Sequence, residues 1–90
     1  MIIQFKHRGL QLFFTKGSCK GIPAQFASRL ERILDRLDSS SCPDDMNLPG
    51  YKFHELKGKR KGVYAVSGNW RVSFEFKDSD VINVNLEDYH

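Results

Sequence analysis

Asn69-Trp70-Arg71-Val72-Ser73-Phe74-Glu75-Phe76-Lys77 alternates polar and apolar residues without a break. Successive side chains of a β-strand point to opposite faces, so this period of two predicts a strand with Trp70, Val72, Phe74 and Phe76 on one side. Asn69, Arg71, Ser73, Glu75 and Lys77 take the other. Before it, Ser67-Gly68 make a tight turn out of the apolar run Val63-Tyr64-Ala65-Val66. After it, Asp78-Ser79 turn the chain into a strand in which Ile82, Val84 and Leu86 are expected to face the core, with Asn83 and Asn85 opposite. Upstream, Tyr51 and Phe53 share one face of a further strand and Lys52 and His54 the other, and a glycine-bracketed basic turn runs from Gly58 to Gly62. Connections of two to five residues join antiparallel neighbours, so these strands form a meander.

A sheet this small is marginal alone in water, so its Trp70/Phe74/Phe76 face needs a cover. The first half of the chain supplies it. Phe26, Leu30, Ile33, Leu34 and Leu37 recur at i, i+4, i+7, i+8 and i+11, one continuous face of an amphipathic helix opened by Pro23. Leu10, Phe13 and Phe14 form a shorter helical stripe within residues 9–16, closed by Gly17. Ile2-Ile3-Gln4-Phe5-Lys6 is a short strand candidate, and the polar loop from Ser39 to Gly50 links the helical half to the β half. The expectation is one α+β domain spanning residues 1–90, with N-terminal helices packed on one face of a small, mainly antiparallel sheet. The opposite face, bearing Arg71 and His54, stays open.

Ninety residues suffice for one small domain, and 40% hydrophobic residues can build its core without staples. No apolar run is long enough for a membrane helix, and the N-terminus lacks the continuous apolar stretch of a signal peptide. A cytoplasmic protein with Cys19 and Cys42 reduced is expected. Those cysteines with His54 and His90 lack the paired spacing of a zinc site, so no metal ligand is assigned. Lys and Arg outnumber Asp and Glu by 14 to 11, but the distribution says more than the sum. Residues 57–61 read Lys-Gly-Lys-Arg-Lys with no acid among them, which favours a polyanionic partner, nucleic acid first. A solvated turn that is merely basic is the plainer alternative.

The residues that carry chemistry lie around that turn and at the end of the chain. Arg71 presents a fork that matches two phosphate oxygens and keeps its charge; in a purely structural role it would pair with a nearby acid such as Glu75. His54 alternates away from Phe53 and stands three residues before Lys57, itself suited to hold a phosphate as a point charge. His7, between Lys6 and Arg8, reads as a surface residue. The last residues are Glu87-Asp88-Tyr89-His90, directly after an apolar strand, where a stability-driven sequence normally goes bland. Asp88, Tyr89 and His90 can hold or move protons, and a histidine does so near neutrality. Acid–base groups beside a guanidinium suggest chemistry on a phosphate. Strict alternation places Tyr89 with Arg71, and Asp88 and His90 on the core side, so one cluster requires a twist or bulge at the strand end.

In this order, Lys52-Phe53-His54-Glu55-Leu56-Lys57-Gly58, Asn69-Trp70-Arg71-Val72-Ser73-Phe74 and the terminal Glu87-Asp88-Tyr89-His90 resemble the HigB toxins of the RelE superfamily. Phe5-Lys6-His7-Arg8-Gly9-Leu10 and Gly21-Ile22-Pro23-Ala24 extend the resemblance over nearly the whole chain. It implies the compact RelE-like microbial ribonuclease fold and a type II toxin that enters the ribosomal A site and cuts translated mRNA. It implies as partners a HigA-type helix-turn-helix antitoxin and the 70S ribosome, with its 16S rRNA and A-site mRNA. Operator DNA would be bound only through the antitoxin complex, and no cofactor is implied. The family's active-site pattern falls on His54, Lys57, Arg71, Asp88, Tyr89 and His90, with Asn69 beside the RNA. Lys59, Arg60 and Lys61 are the expected rRNA contacts, richer in charge than the resemblance requires. A ParE-like gyrase poison shares the fold, although members of that branch generally lack the terminal acid–base set. A passive RNA- or protein-binding module would need only the basic turn.

Overall fold

The fold is taken from a computed structural model that describes residues 1–67 and 70–88, Asp88 by its backbone alone. Helix α1 (Arg8–Lys16) starts where the His7 ring nitrogen Nδ1 accepts the Leu10 N–H at 3.1 Å. His7, expected at the surface, is thus a half-buried helix cap that satisfies one of the first turn's orphan donors. The helix stops at Gly17, whose φ of 70° few side chains tolerate and whose N–H closes back on the Leu12 and Phe13 carbonyls. Helix α2 (Ala27–Asp38) buries Leu30, Ile33, Leu34 and Leu37, the predicted stripe. Pro23 does not lie in its first turn; it precedes a 3₁₀ turn, Ala24–Phe26, that leads into the helix and sets the Phe26 ring 5.4 Å from that of Trp70.

The sheet runs in the order β1 (His54–Glu55), β2 (Tyr64–Val66), β3 (Trp70–Lys77), β4 (Asp80–Asp88), every neighbour antiparallel. The N-terminal residues lie along the outer edge of β4 in the parallel sense, Ile2 opposite Val81 and Phe5 opposite Val84, in place of a regular strand. Their edge is blunted by α2, because Asp38 accepts the Ile2 N–H at 2.8 Å. The strand expected from Tyr51 shrinks to His54–Glu55, since Lys52 adopts a φ of 53° and breaks the extended run.

Strand β4 departs from strict alternation, and the departure repositions half of it. Ser73 pairs with Asn85 and Glu75 with Ile82, so two steps along β3 face three along β4. The extra residue produces a β-bulge, and Asn83 at φ 54° sits in it, its amide donating to Glu75 at 2.8 Å. A bulge reverses which side chains point inward beyond it. Val81 is therefore fully buried while Ile82, expected in the core, is only half-buried on the Glu75 side. Val84 and Leu86, on the other side of the bulge, face the core as expected.

The helices cover the face that carries Val72 and Phe74, and both of those side chains are fully buried. Phe74 lies between Tyr64 and Phe76, at ring-centroid distances of 6.3 and 6.0 Å. Replacing Phe74 with alanine is expected to cost about 3–5 kcal/mol, the usual loss for a buried ring with its cavity. The sharper check compares neighbours on β4. Val81→Ala is expected to destabilise more than Ile82→Ala in urea unfolding, although isoleucine loses more atoms. The reverse order would place Ile82 inside and remove the bulge.

Candidate active site

On the sheet face away from Phe74, the register stacks a row across the four strands: His54 opposite Ala65, Ala65 opposite Ser73, Ser73 opposite Asn85. Arg71 lies two residues before Ser73 and so shares this face. Immediately after β1 the chain passes Lys57 and enters a single 3₁₀ turn, Gly58–Arg60, through Gly58 at φ 74°. Glu55 accepts the Gly62 N–H at 3.0 Å and holds the far end of the turn against the strand. These elements enclose an open cleft of about 400 Å³ lined by His54, Glu55, Leu56, Lys57, Arg60 and Arg71.

His54 is exposed at the cleft, with Nδ1 2.9 Å from the Lys52 carbonyl. A carbonyl oxygen only accepts, so Nδ1 carries the proton of that contact. The outward Nε2 is then the nitrogen left to take, carry or release a proton. The left-handed turn at Lys52, which shortened the strand, lies at the residue whose carbonyl meets the ring.

Beside Arg71 stands a carboxylate to which the linear sequence assigns no role. Arg71 pairs across β3 and β4 with Glu87. Arg60 grips Glu87 with both ends of its fork, Nη1 to Oε1 at 3.0 Å and Nη2 to Oε2 at 2.6 Å. Arg71 Nη2 donates to Oε1 at 3.2 Å, and the Ser73 hydroxyl donates to Oε2 at 2.6 Å. The Arg60 hydrogen bonds hold the Glu87 carboxyl down to about 2; partial burial opposes them, and the Ser73 and Arg71 bonds add to them. The same pairing raises the Arg60 guanidinium. Glu75, the acid expected to pair with Arg71, is taken instead by the bulge residue Asn83. The available signal was parity: Glu87 and Arg71 each face away from their strand's core side, but only the register makes them opposite.

His54, Lys57, Arg60 and Arg71 thus come together at one cleft. Lys59 and Lys61 do not line that cleft, although Lys61 shares an adjoining hollow with Glu55, Leu56 and Lys57. With Lys6, Lys59 and Lys61 line a polar hollow of about 310 Å³ over Ser73, Glu75, Asn83 and Asn85, and Arg60 borders both this hollow and the cleft. Asn69, Tyr89 and His90 lie outside the described residues, and of Asp88 only the backbone, opposite Trp70, is described. A further hollow of about 410 Å³ between the helices is lined by Phe13, Phe14, Glu31 and Asp35, among others, with no cation to receive a phosphate. Among the described residues no three His, Cys, Asp or Glu side chains gather as metal ligands, and no helix is long and apolar enough to cross a membrane. Fixed cations and an exposed imidazole in one open cleft can bind a phosphate and move a proton beside it.

Comparison with known proteins places the chain in a family. Residues 3–90 match the family described as "RelE-like toxin of type II toxin-antitoxin system HigB". The chain is also 41% identical over 92 residues, spanning all of both proteins, to the "Endoribonuclease HigB" of Proteus vulgaris.

The depressed Glu87 carboxyl ties stability to acid. Its ordinary value of 4.5 falls to about 2 on folding, so its contribution is complete above about pH 5 and is lost as pH falls from there towards 2. Urea unfolding of Glu87→Gln, compared with the unchanged protein, is expected to show a shallower loss of stability across that window. Identical acid profiles would mean that the carboxylate is not held by these donors.

Proposed function

The chain belongs to the HigB-like toxins of the RelE superfamily, and from that membership we infer that the cleft around Arg71 is where an RNA phosphate is cut. The protein is an endoribonuclease toxin of a type II toxin–antitoxin system, acting on mRNA. Its proposed setting is the ribosomal A site in the cytoplasm, where cutting translated mRNA stops protein synthesis. The observation that supports this reading best is the convergence of His54, Lys57 and Arg71 on one open cleft.

The cleavage is attack by a ribose 2′-oxygen on the adjacent phosphorus. The 2′-O–H gives up its proton, a 2′-O–P bond forms, and the P–O5′ bond breaks with a proton delivered to O5′. The products are a 2′,3′-cyclic phosphate and a 5′-hydroxyl. Arg71 and Lys57 hold the phosphate and offset the charge that grows on its oxygens. His90 is the proposed general base. His54, its Nδ1–H engaged by a backbone carbonyl, contacts the phosphate or protonates O5′ through Nε2. Asp88 orients a neighbouring group, Tyr89 stacks on a base or donates a proton, and Asn69 contacts the RNA. Lys59 and Lys61 steer towards rRNA, and the proposed antitoxin is a HigA-type helix-turn-helix protein through which the complex reaches operator DNA.

On purified translating ribosomes, Arg71→Ala is expected to remain folded and to lose about 10²–10³ in cleavage rate, as for a removed oxyanion donor. Removing Tyr89 and His90 is expected to abolish cleavage with ribosome binding intact, and His90→Ala alone to lose about 10²–10⁴. Full-rate cutting by the truncated protein would confine the chemistry to His54, Lys57 and Arg71. Gyrase–DNA adducts without cut mRNA would instead identify a gyrase poison.

The basic turn needs a selective test, because Arg60 is committed to Glu87. Neutralising Lys59 and Lys61 together is expected to weaken ribosome association and lower its salt dependence by up to about one unit per lysine. The rate of bound complexes should be unchanged. Wild-type binding at every salt concentration would make the turn a solvated hairpin.

A further inference from the structure

We propose that Glu87 is a positioning residue for RNA cleavage, the carboxylate that fixes the Arg71 guanidinium at the phosphate site and ties it to the turn carrying Arg60. This deepens the proposed function and rests on Arg71 holding the scissile phosphate. Four hydrogen bonds from Arg60, Arg71 and Ser73 meet the two Glu87 oxygens, two at each. That matches the accepting capacity of an ionised carboxylate, so Glu87 has little left with which to bind substrate. It therefore acts through its partners.

The network joins three separate elements: the 3₁₀ turn Gly58–Arg60, β3 and, through Glu87 itself, β4. The carboxylate thereby sets where the Arg60 end of the turn sits relative to Arg71. The two arginines engage it differently. Arg60 spends both ends of its fork on it at 3.0 and 2.6 Å, which is an anchoring geometry. Arg71 reaches it through Nη2 at 3.2 Å while its side chain still lines the cleft. Both guanidiniums share Oε1, so without the negative charge they would repel, and the Arg71 guanidinium would be pushed from the orientation Glu87 gives it. An ion pair that served only the sheet would need neither the second arginine nor the cleft.

Removing the charge while keeping the shape separates binding from chemistry. Glu87→Gln leaves the cleft more positive, so ribosome-bound mRNA should saturate it at an unchanged or lower concentration. The displaced guanidinium should nevertheless lower the rate at saturation by about 10–100-fold, the scale of a 1 Å misplacement. A merely structural role would not produce that split.

The experiment measures single-turnover mRNA cleavage on programmed ribosomes by wild type, Glu87→Gln, Arg71→Ala and the double variant, each checked for folding by thermal denaturation. The expected result is that Glu87→Gln slows the wild type but does not slow Arg71→Ala further, because the effect runs through that arginine. A wild-type rate for Glu87→Gln beside a slow Arg71→Ala would overturn the inference and leave the phosphate reading standing. So would a double variant slowed by the product of the two single losses. A wild-type rate for Arg71→Ala would overturn the phosphate reading, and this inference with it. If Glu87→Gln does not fold, Arg60→Ala tests the link from its exposed end. It should slow saturated cleavage without adding to Arg71→Ala, and an unchanged rate would overturn the proposal.

Discussion

The register of β3 against β4 is the constraint on which both the core and the cleft depend. Pairing Val72 with Leu86 buries one apolar face, and the same alignment must set Arg71 opposite Glu87. A one-residue slip would send every β4 side chain to the other face, wetting Leu86 and removing the carboxylate from both arginines. Hydrophobic burial outweighs the ion pairs and therefore selects an arrangement that the charged residues alone could not enforce. The ion pairs ride on the core. These partly buried pairs form because the strands already hold their partners in range.

The bulge at Asn83 shows how local backbone geometry serves two ends. It turns Val81 inward beneath the N-terminal segment, which pairs alongside at Ile2 and Phe5. It also turns the Asn83 amide onto Glu75, while Glu87 accepts from Arg71. Two carboxylates on one sheet face thus receive separate partners. Glu75 lies at the hollow beside Lys59 and Lys61, apart from the cleft where His54, Lys57 and Arg71 meet.

A basic run that looks like one electrostatic patch along the chain becomes two devices in three dimensions. Arg60 turns inward to a carboxylate, while Lys59 and Lys61 line the next hollow with Lys6. The difference follows from side-chain chemistry. The planar arginine fork suits bidentate pairing in a partly buried place, whereas a lysine is a hydrated point charge best kept in solvent.

Both helices, the β3 strand and its apolar face were legible along the chain, because apolar periodicity is a local property that packing only had to satisfy. The α2 stripe from Leu30 to Leu37 and the alternation through Val72 and Phe74 needed no tertiary information. Residue order also carried the family, through motifs spaced along nearly the whole chain. It could not say that His7 caps a helix, that Lys52 breaks a strand or that Val81 replaces Ile82, since each depends on backbone dihedrals set by neighbouring elements. Glu87 was hidden for the same reason. Sixteen residues separate it from Arg71 and 27 from Arg60, and only strand register and a folded turn bring those charges within hydrogen-bonding distance.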